Sequence, residues 1–156
     1  MKTSLLPIAD CKLLNEAVQR ELYASNFYKY AASCCQKQGL FGAQKFFEAE
    51  AADETTHYYK VRDFMNDMGD EAEMPEIMEV EFKKEKLADI FDAAYELEKG
   101  LGDFYNKFYF GTKCAPVQTF LIKMVDIQRK SVGEYGDKIA QLEQYGVALF
   151  DIELGK

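Results

Sequence analysis

Four apolar stripes at helical spacing, divided into two pairs by one long acidic connection, constrain this chain of 156 residues more than any other feature. Residues 10–38 place Leu14, Ala17, Val18, Ser25, Tyr28, Ala32 and Cys35 on one stripe that stops near Gly39. After a short turn, residues 43–68 carry Phe47, Ala51, Tyr58, Val61, Met65 and Met68, closed by Gly69. A third stripe over about 85–110 holds Leu87, Ile90, Phe91, Ala94, Leu97, Leu101, Tyr105 and Phe108. The fourth, over about 116–145, starts with Pro116 and holds Val117, Leu121, Met124, Tyr135, Ile139 and Leu142. Between the second and third lies DEAEMPEIMEVEFKK, which has no sustained period and reads as a solvated connection. A helix over residues 43–68 is about 39 Å long, and an extended connection of this length reaches about 50 Å, enough to run the whole bundle. The third helix can therefore lie parallel to the second. The expectation is one all-α domain over residues 1–156: a four-helix bundle of two hairpins joined by one long crossover, with a short C-terminal helix at about 146–154.

Composition narrows the function. The net charge of −8 argues against nucleic-acid or anionic-membrane partners and favours cations. No apolar run reaches the length of a membrane span, and MKTSLLPIADCKLLNEA lacks a signal peptide's continuous apolar stretch, so a cytoplasmic location is expected. Cys11, Cys34, Cys35 and Cys114 show no CxxC spacing and read as reduced structural thiols.

Polar residues interrupt the stripes at mid-helix. Glu21 falls between Val18 and Ser25, Glu54 between Ala51 and Tyr58 with His57 three residues on, Glu98 between Ala94 and Leu101, and Gln128 between Met124 and Tyr135. Burying unpaired carboxylates costs several kcal/mol each, and no lysine or arginine sits in the stripes to match them. A metal ion supplies the missing positive charge, and glutamate with imidazole is a donor set that iron accepts. Glu54 and His57 share one helix face by their i, i+3 spacing. A lone Glu-x-x-His is a weak signal; four polar groups at mid-stripe on four helices are a strong one. A metal-free helical interaction protein would instead have to neutralise these acids by raised pKa values.

At these residues the chain resembles the bacterial non-haem ferritins over essentially its whole length. The resemblance is carried by LNEAVQRELYASNFY, LFGAQKFFEAEAADETTH, YELEKGL, FLIKMVDIQ and LFDIEL, in that order. It implies a ferritin-like fold with a di-iron centre, in which Glu21, Glu54 and His57 bind one iron and Glu54 and Glu98 the other. Gln128 is then a hydrogen-bonding or secondary ligand, and Tyr28 matches the family's site-adjacent tyrosine. The implied activity is that of a ferroxidase: Fe(II) is oxidised by O2 or hydrogen peroxide and stored as ferric mineral in a shell of about 24 identical copies.

Several positions depart from the family's patterns. With one histidine in the chain, a second Glu-x-x-His is impossible, and the fourth helix reads Gln128, Arg129, Lys130, Ser131 instead. This disfavours bacterioferritin and rubrerythrin-type sites, although a non-storage oxidase or peroxidase stays the main competing reading. Thr55 stands where haem-binding relatives place a methionine, so no haem is expected. A third iron site would use Asp53, but Ile127 and Ser131 occupy its other places. The turn before the fourth helix carries Lys113, with Lys123 following, rather than the acids of the family's pore, which favours an iron route through the bundle.

Overall fold

The computed structural model describes residues 2–156 and contains four helices: α1 (Ile8–Lys37), α2 (Phe41–Asp67), α3 (Leu87–Gly111) and α4 (Ala115–Leu154). Several of their ends have a local cause. Pro7 precedes α1 and Pro116 lies in the first turn of α4, where a missing N–H costs nothing. At the start of α3, the Lys86 N–H donates to the Asp89 carboxylate at 3.0 Å. Gly39 and Gly69, at φ 75° and 83°, close α1 and α2 in the left-handed conformation that glycine adopts at low cost. The N–H groups of Leu40 and Asp70, one residue beyond, return to Cys35 and Met65 carbonyls at 2.9 Å.

Residues 70–84 form no helix or strand and run along α1. The Glu73 N–H donates to Asn15 near the start of α1, and the Gln38 amide just past its end donates to the Lys84 carbonyl. In between, Phe82 packs on Phe27 and Tyr30. The crossover thus travels the length of the bundle, which makes α3 parallel to α2.

Two apolar clusters fill the interior. One contains Leu14, Val18, Val61, Met65, Leu101, Leu121 and Met124. The other is richer in aromatics, with Tyr28, Phe47, Phe91, Tyr135 and Phe150. Following each helix from N to C terminus, α1 and α4 pass from the first cluster to the second, while α2 and α3 pass the other way. On every helix the residue between the two is the polar one: Glu21, Glu54, Glu98 or Gln128. Burial of each large apolar side chain around this plane contributes about 2 kcal/mol, so the bundle can tolerate a polar layer held between two dry ones. Leu97 and Ile139, expected in the core, are only half-buried at its edge.

The expected tail helix is present as a bent continuation of α4. Gly146, at φ 73°, redirects the chain, and the segment beyond it packs Phe150 into the aromatic cluster. Asp151 then accepts a hydrogen bond from the Ala43 N–H at 2.8 Å, capping α2, whose own N-cap position is Leu40. A Cβ at Gly42 would lie 1.8 Å from the Asp151 carbonyl oxygen, so glycine is required for this approach.

Candidate metal centre

The four polar residues meet where the apolar clusters part. Glu21 and Glu98 are fully buried, Glu54 and Gln128 almost so, and His57 is 5% exposed. Glu21, Glu54 and His57 each offer a donor atom within 4.8 Å of the others. His57 Nδ1 lies 3.1 Å from Glu54 Oε2 and 3.6 Å from Glu21 Oε2. Its other nitrogen faces the exposed Asp53 Oδ2 at 3.6 Å, just beyond hydrogen-bond reach.

On the opposite side, Gln128 Nε2 donates to Glu98 Oε2 at 2.7 Å and to the Glu98 carbonyl at 3.2 Å. The reversed amide would press its oxygen against both acceptors, so the neighbours decide its orientation. Tyr28 donates to Glu98 Oε1 at 2.5 Å, and Tyr105 donates to Glu21 Oε1 at 2.7 Å. Two buried oxygens, Glu21 Oε2 and Gln128 Oε1, have no hydrogen-bond partner. In a packed interior such atoms are costly unless a ligand completes them.

Electrostatics points the same way. Burial first, then the charges of Glu98 and Glu21, pushes Glu54 well above the ordinary carboxylate range. Burial disfavours a charged His57, but the Glu21 carboxylate 3.6 Å away, followed by Asp53 and Glu98, outweighs it and raises His57. Tyr105 is raised by burial and by Glu21, and Tyr28 by burial, Tyr135 and Glu98, so both hydroxyls remain donors. No lysine or arginine is buried among the described residues. Carboxylate and imidazole donors around a protein-free positive charge fit a divalent transition-metal ion such as Fe(II).

All six residues expected from the sequence, Glu21, Tyr28, Glu54, His57, Glu98 and Gln128, thus converge on one layer. Three further residues belong to its surroundings. Tyr105 reads from the sequence as core packing, and its hydroxyl contact with Glu21 has no one-dimensional signal. Asp53, which the resemblance links only to a third iron site, lies 3.6 Å from His57 Nε2. Glu50 is half-buried on the same face of α2, one turn before Glu54, and its i−4 spacing could have revealed it. Near the turn before α4, the fold brings in an acid that sequence neighbours did not show: buried Asp10 of α1 accepts a hydrogen bond from Thr112 at 2.7 Å.

Residues 11–145 match the family model described as a ferritin-like domain. A bacterial non-heme ferritin of Campylobacter jejuni is 35% identical over 88 residues, covering 56% of this chain and 53% of its own length. A protein of Haemophilus influenzae named "Probable bacterial non-heme ferritin-like protein" is 29% identical over 148 residues, covering 91% and 90%. Among solved structures, an open pore ferritin of the archaeon Archaeoglobus fulgidus superposes with a TM-score of 0.91 over 96% of both chains at 20% identity. That likeness concerns the fold alone.

Proposed function

The chain belongs to the ferritin family, its ferritin-like domain covering residues 11–145, and from that premise we propose that it oxidises Fe(II) at a buried pair of sites and stores the product as ferric mineral. The observation that carries this reading is the convergence of Glu21, Glu54, His57, Glu98 and Gln128 from four helices with no buried cation to balance them. In the proposed arrangement Glu21 and His57 bind one Fe(II), Glu98 the other, and Glu54 bridges both. Gln128 contributes its unpartnered Oε1 on the Glu98 side.

Each Fe(II) gives up one electron, and the pair reduces O2, with two protons, to hydrogen peroxide; peroxide itself can serve as the oxidant and is then reduced to water. The protein's own contribution is to bind and orient. Tyr105 and Tyr28 hold the outer oxygens of Glu21 and Glu98, and the apolar clusters above and below exclude bulk water. A small donor set leaves coordination positions open to the oxidant. Hydrolysis of Fe(III) to hydrous oxide releases protons, and a closed shell of about 24 copies would confine the mineral.

The test is to add two Fe(II) per subunit anaerobically, admit O2, and follow oxidation by stopped flow, then to pass the iron-loaded protein over a size-exclusion column. Fast oxidation with iron co-eluting in a large assembly is expected. A small oligomer that turns over iron without retaining it would instead identify a non-storage oxidase.

A further inference from the structure

The tail beyond Gly146 touches the bundle at few points, and those points lead inward to the Glu98 side of the centre. Gly146, at φ 73° and ψ 164°, breaks the helical path, and beside it a cleft of about 440 Å3, with Leu40, Leu142 and Val147 in its walls, leaves the root of the tail loosely packed. The tail is held instead by its inner face. Phe150 is buried, Asp151 accepts from the Ala43 N–H, and Lys45 Nζ donates to the Gly155 carbonyl at 3.2 Å.

From Phe150 a series of rings continues into the bundle. Phe150 meets Phe91 edge-on at 5.3 Å, and Phe91 lies 5.0 Å from Phe47 and 6.1 Å from Tyr135. Both of those rings lie nearly parallel to Tyr28, at 5.9 Å and 14° for Phe47 and at 6.0 Å and 7° for Tyr135. None of the five is more than 1% exposed. Tyr28 ends the series with its hydroxyl on Glu98 Oε1 at 2.5 Å. Ala43, which Asp151 caps, stands one turn before Phe47 on α2, so the tail reaches the same rings by a second link. At interior packing density such rings have no room to turn independently.

We propose that Phe150 is a positioning residue for the Glu98 half of the centre: the docked tail, acting through Phe91 and the rings beside it, holds Tyr28 where its hydroxyl meets Glu98. Undocking the tail slackens that half and spares the other. The effect on metal rests on the function proposed above, whereas the ring series does not depend on it. The Glu21 half lies outside the series, since Tyr105, which serves Glu21, packs in the other apolar cluster with Leu14, Val18 and Leu101.

Phe150→Ala removes the outer end of the series and leaves every metal-binding candidate in place. In crystals of the metal-free variant the Tyr28 hydroxyl should stand more than about 3.5 Å from Glu98 Oε1, out of hydrogen-bond reach. In calorimetric titrations of the assembled, iron-free protein, redox-inert Zn(II) should bind the Glu98 side about 10-fold more weakly and the Glu21–His57 side as in the wild type. Adding Phe150→Ala to Tyr28→Phe, which keeps the ring and lacks the hydroxyl, should cost nothing further on the Glu98 side, because both changes act through one contact. Gly42→Ala tests the docking with all the rings intact: its Cβ would lie 1.8 Å from the Asp151 carbonyl oxygen, so the tail must move and the same selective loss should appear. Phe150→Leu, which keeps apolar bulk, should show that selectivity at smaller amplitude if the alanine variant does not assemble. Equal weakening of both sides, additive losses in the double variant, or an unmoved Tyr28 hydroxyl overturns the proposal. If Zn(II) does not bind the wild-type centre at all, the metal reading fails, and the crystal structures alone decide whether the tail holds Tyr28.

Discussion

The α1–α2 half of the centre and the α3–α4 half are built from different chemistry. The first offers two carboxylates and an imidazole whose donor atoms already lie within 4.8 Å of one another. The second offers one carboxylate, tied on one oxygen by Tyr28 and on the other by Gln128, together with a neutral amide oxygen. A preassembled set of two carboxylates and an imidazole binds a transition-metal dication more firmly than a carboxylate and an amide that must first exchange hydrogen bonds for metal bonds. Under the proposed function the difference would suit a protein that binds iron and then releases it, one position anchoring and the other yielding. A symmetric centre with histidine on both sides would hold both ions alike.

The most damaging way to break this comparison is to remove the residue common to both halves. Loss of an outer-sphere partner typically costs 10–100-fold, so Glu54→Ala should slow rapid Fe(II) oxidation by more than about 100-fold. The helix tolerates alanine well, and the assembly should persist. Stopped-flow oxidation at the normal rate in an intact assembly would refute the assignment.

The halves are next distinguished by His57→Ala and Gln128→Ala in anaerobic metal titrations. The first should weaken the tighter site by about 10–100-fold and the second should affect only the weaker one, by less. Equal affinities in the wild type, or a tight site lost with Gln128 and indifferent to His57, would reverse the picture.

A finer cut uses the two tyrosines, each serving one half. Tyr105→Phe should weaken the tighter site by about 10-fold and Tyr28→Phe the weaker one, with each leaving the other's site alone. Should both variants alter the same site, the two halves are not separately supported.

The smallest effect concerns the metal-free protein and extends the comparison to Glu50, one turn before Glu54 on α2. Glu50, raised from 4.5 to about 7 in the fold, favours the folded state while it is protonated. That stabilisation is fully present below pH 4.5 and is lost as pH rises through about 7. Glu50→Gln should therefore raise the apparent stability by on the order of 1 kcal/mol at pH 8, after a discount for partial exposure, and leave it unchanged near pH 4. Thermal melts of the metal-free assembly at the two pH values measure this, and a gain at pH 4 equal to that at pH 8 would mean that charge is not its cause.

Much of the centre was legible in one dimension because burial leaves a periodic trace. Glu21, Glu54, Glu98 and Gln128 stand where an apolar residue is expected, and the cost of burying them unpaired is enough to predict a cation. Glu50 obeys the same rule at i−4 from Glu54, yet it lies at the stripe's margin, where half-buried and solvated acids look alike. Tyr105 and Tyr135 fit their stripes as ordinary core residues. What distinguishes Tyr105 is its hydroxyl, and that this oxygen meets Glu21 depends on a residue 84 positions away.

The amino-acid order by itself determined the four helices, their apolar faces, the crossover long enough to set α3 parallel to α2, and the polar layer, because each follows from local spacing and the free energy of burial. Tertiary packing decided which oxygen of each carboxylate is occupied, that the Tyr105 hydroxyl meets Glu21, and that Asp151 of the tail caps α2. Those contacts depend on the axial stagger of one helix against another to within an ångström or two, and hydrophobic periodicity, which fixes a face but not a height, carries no record of it.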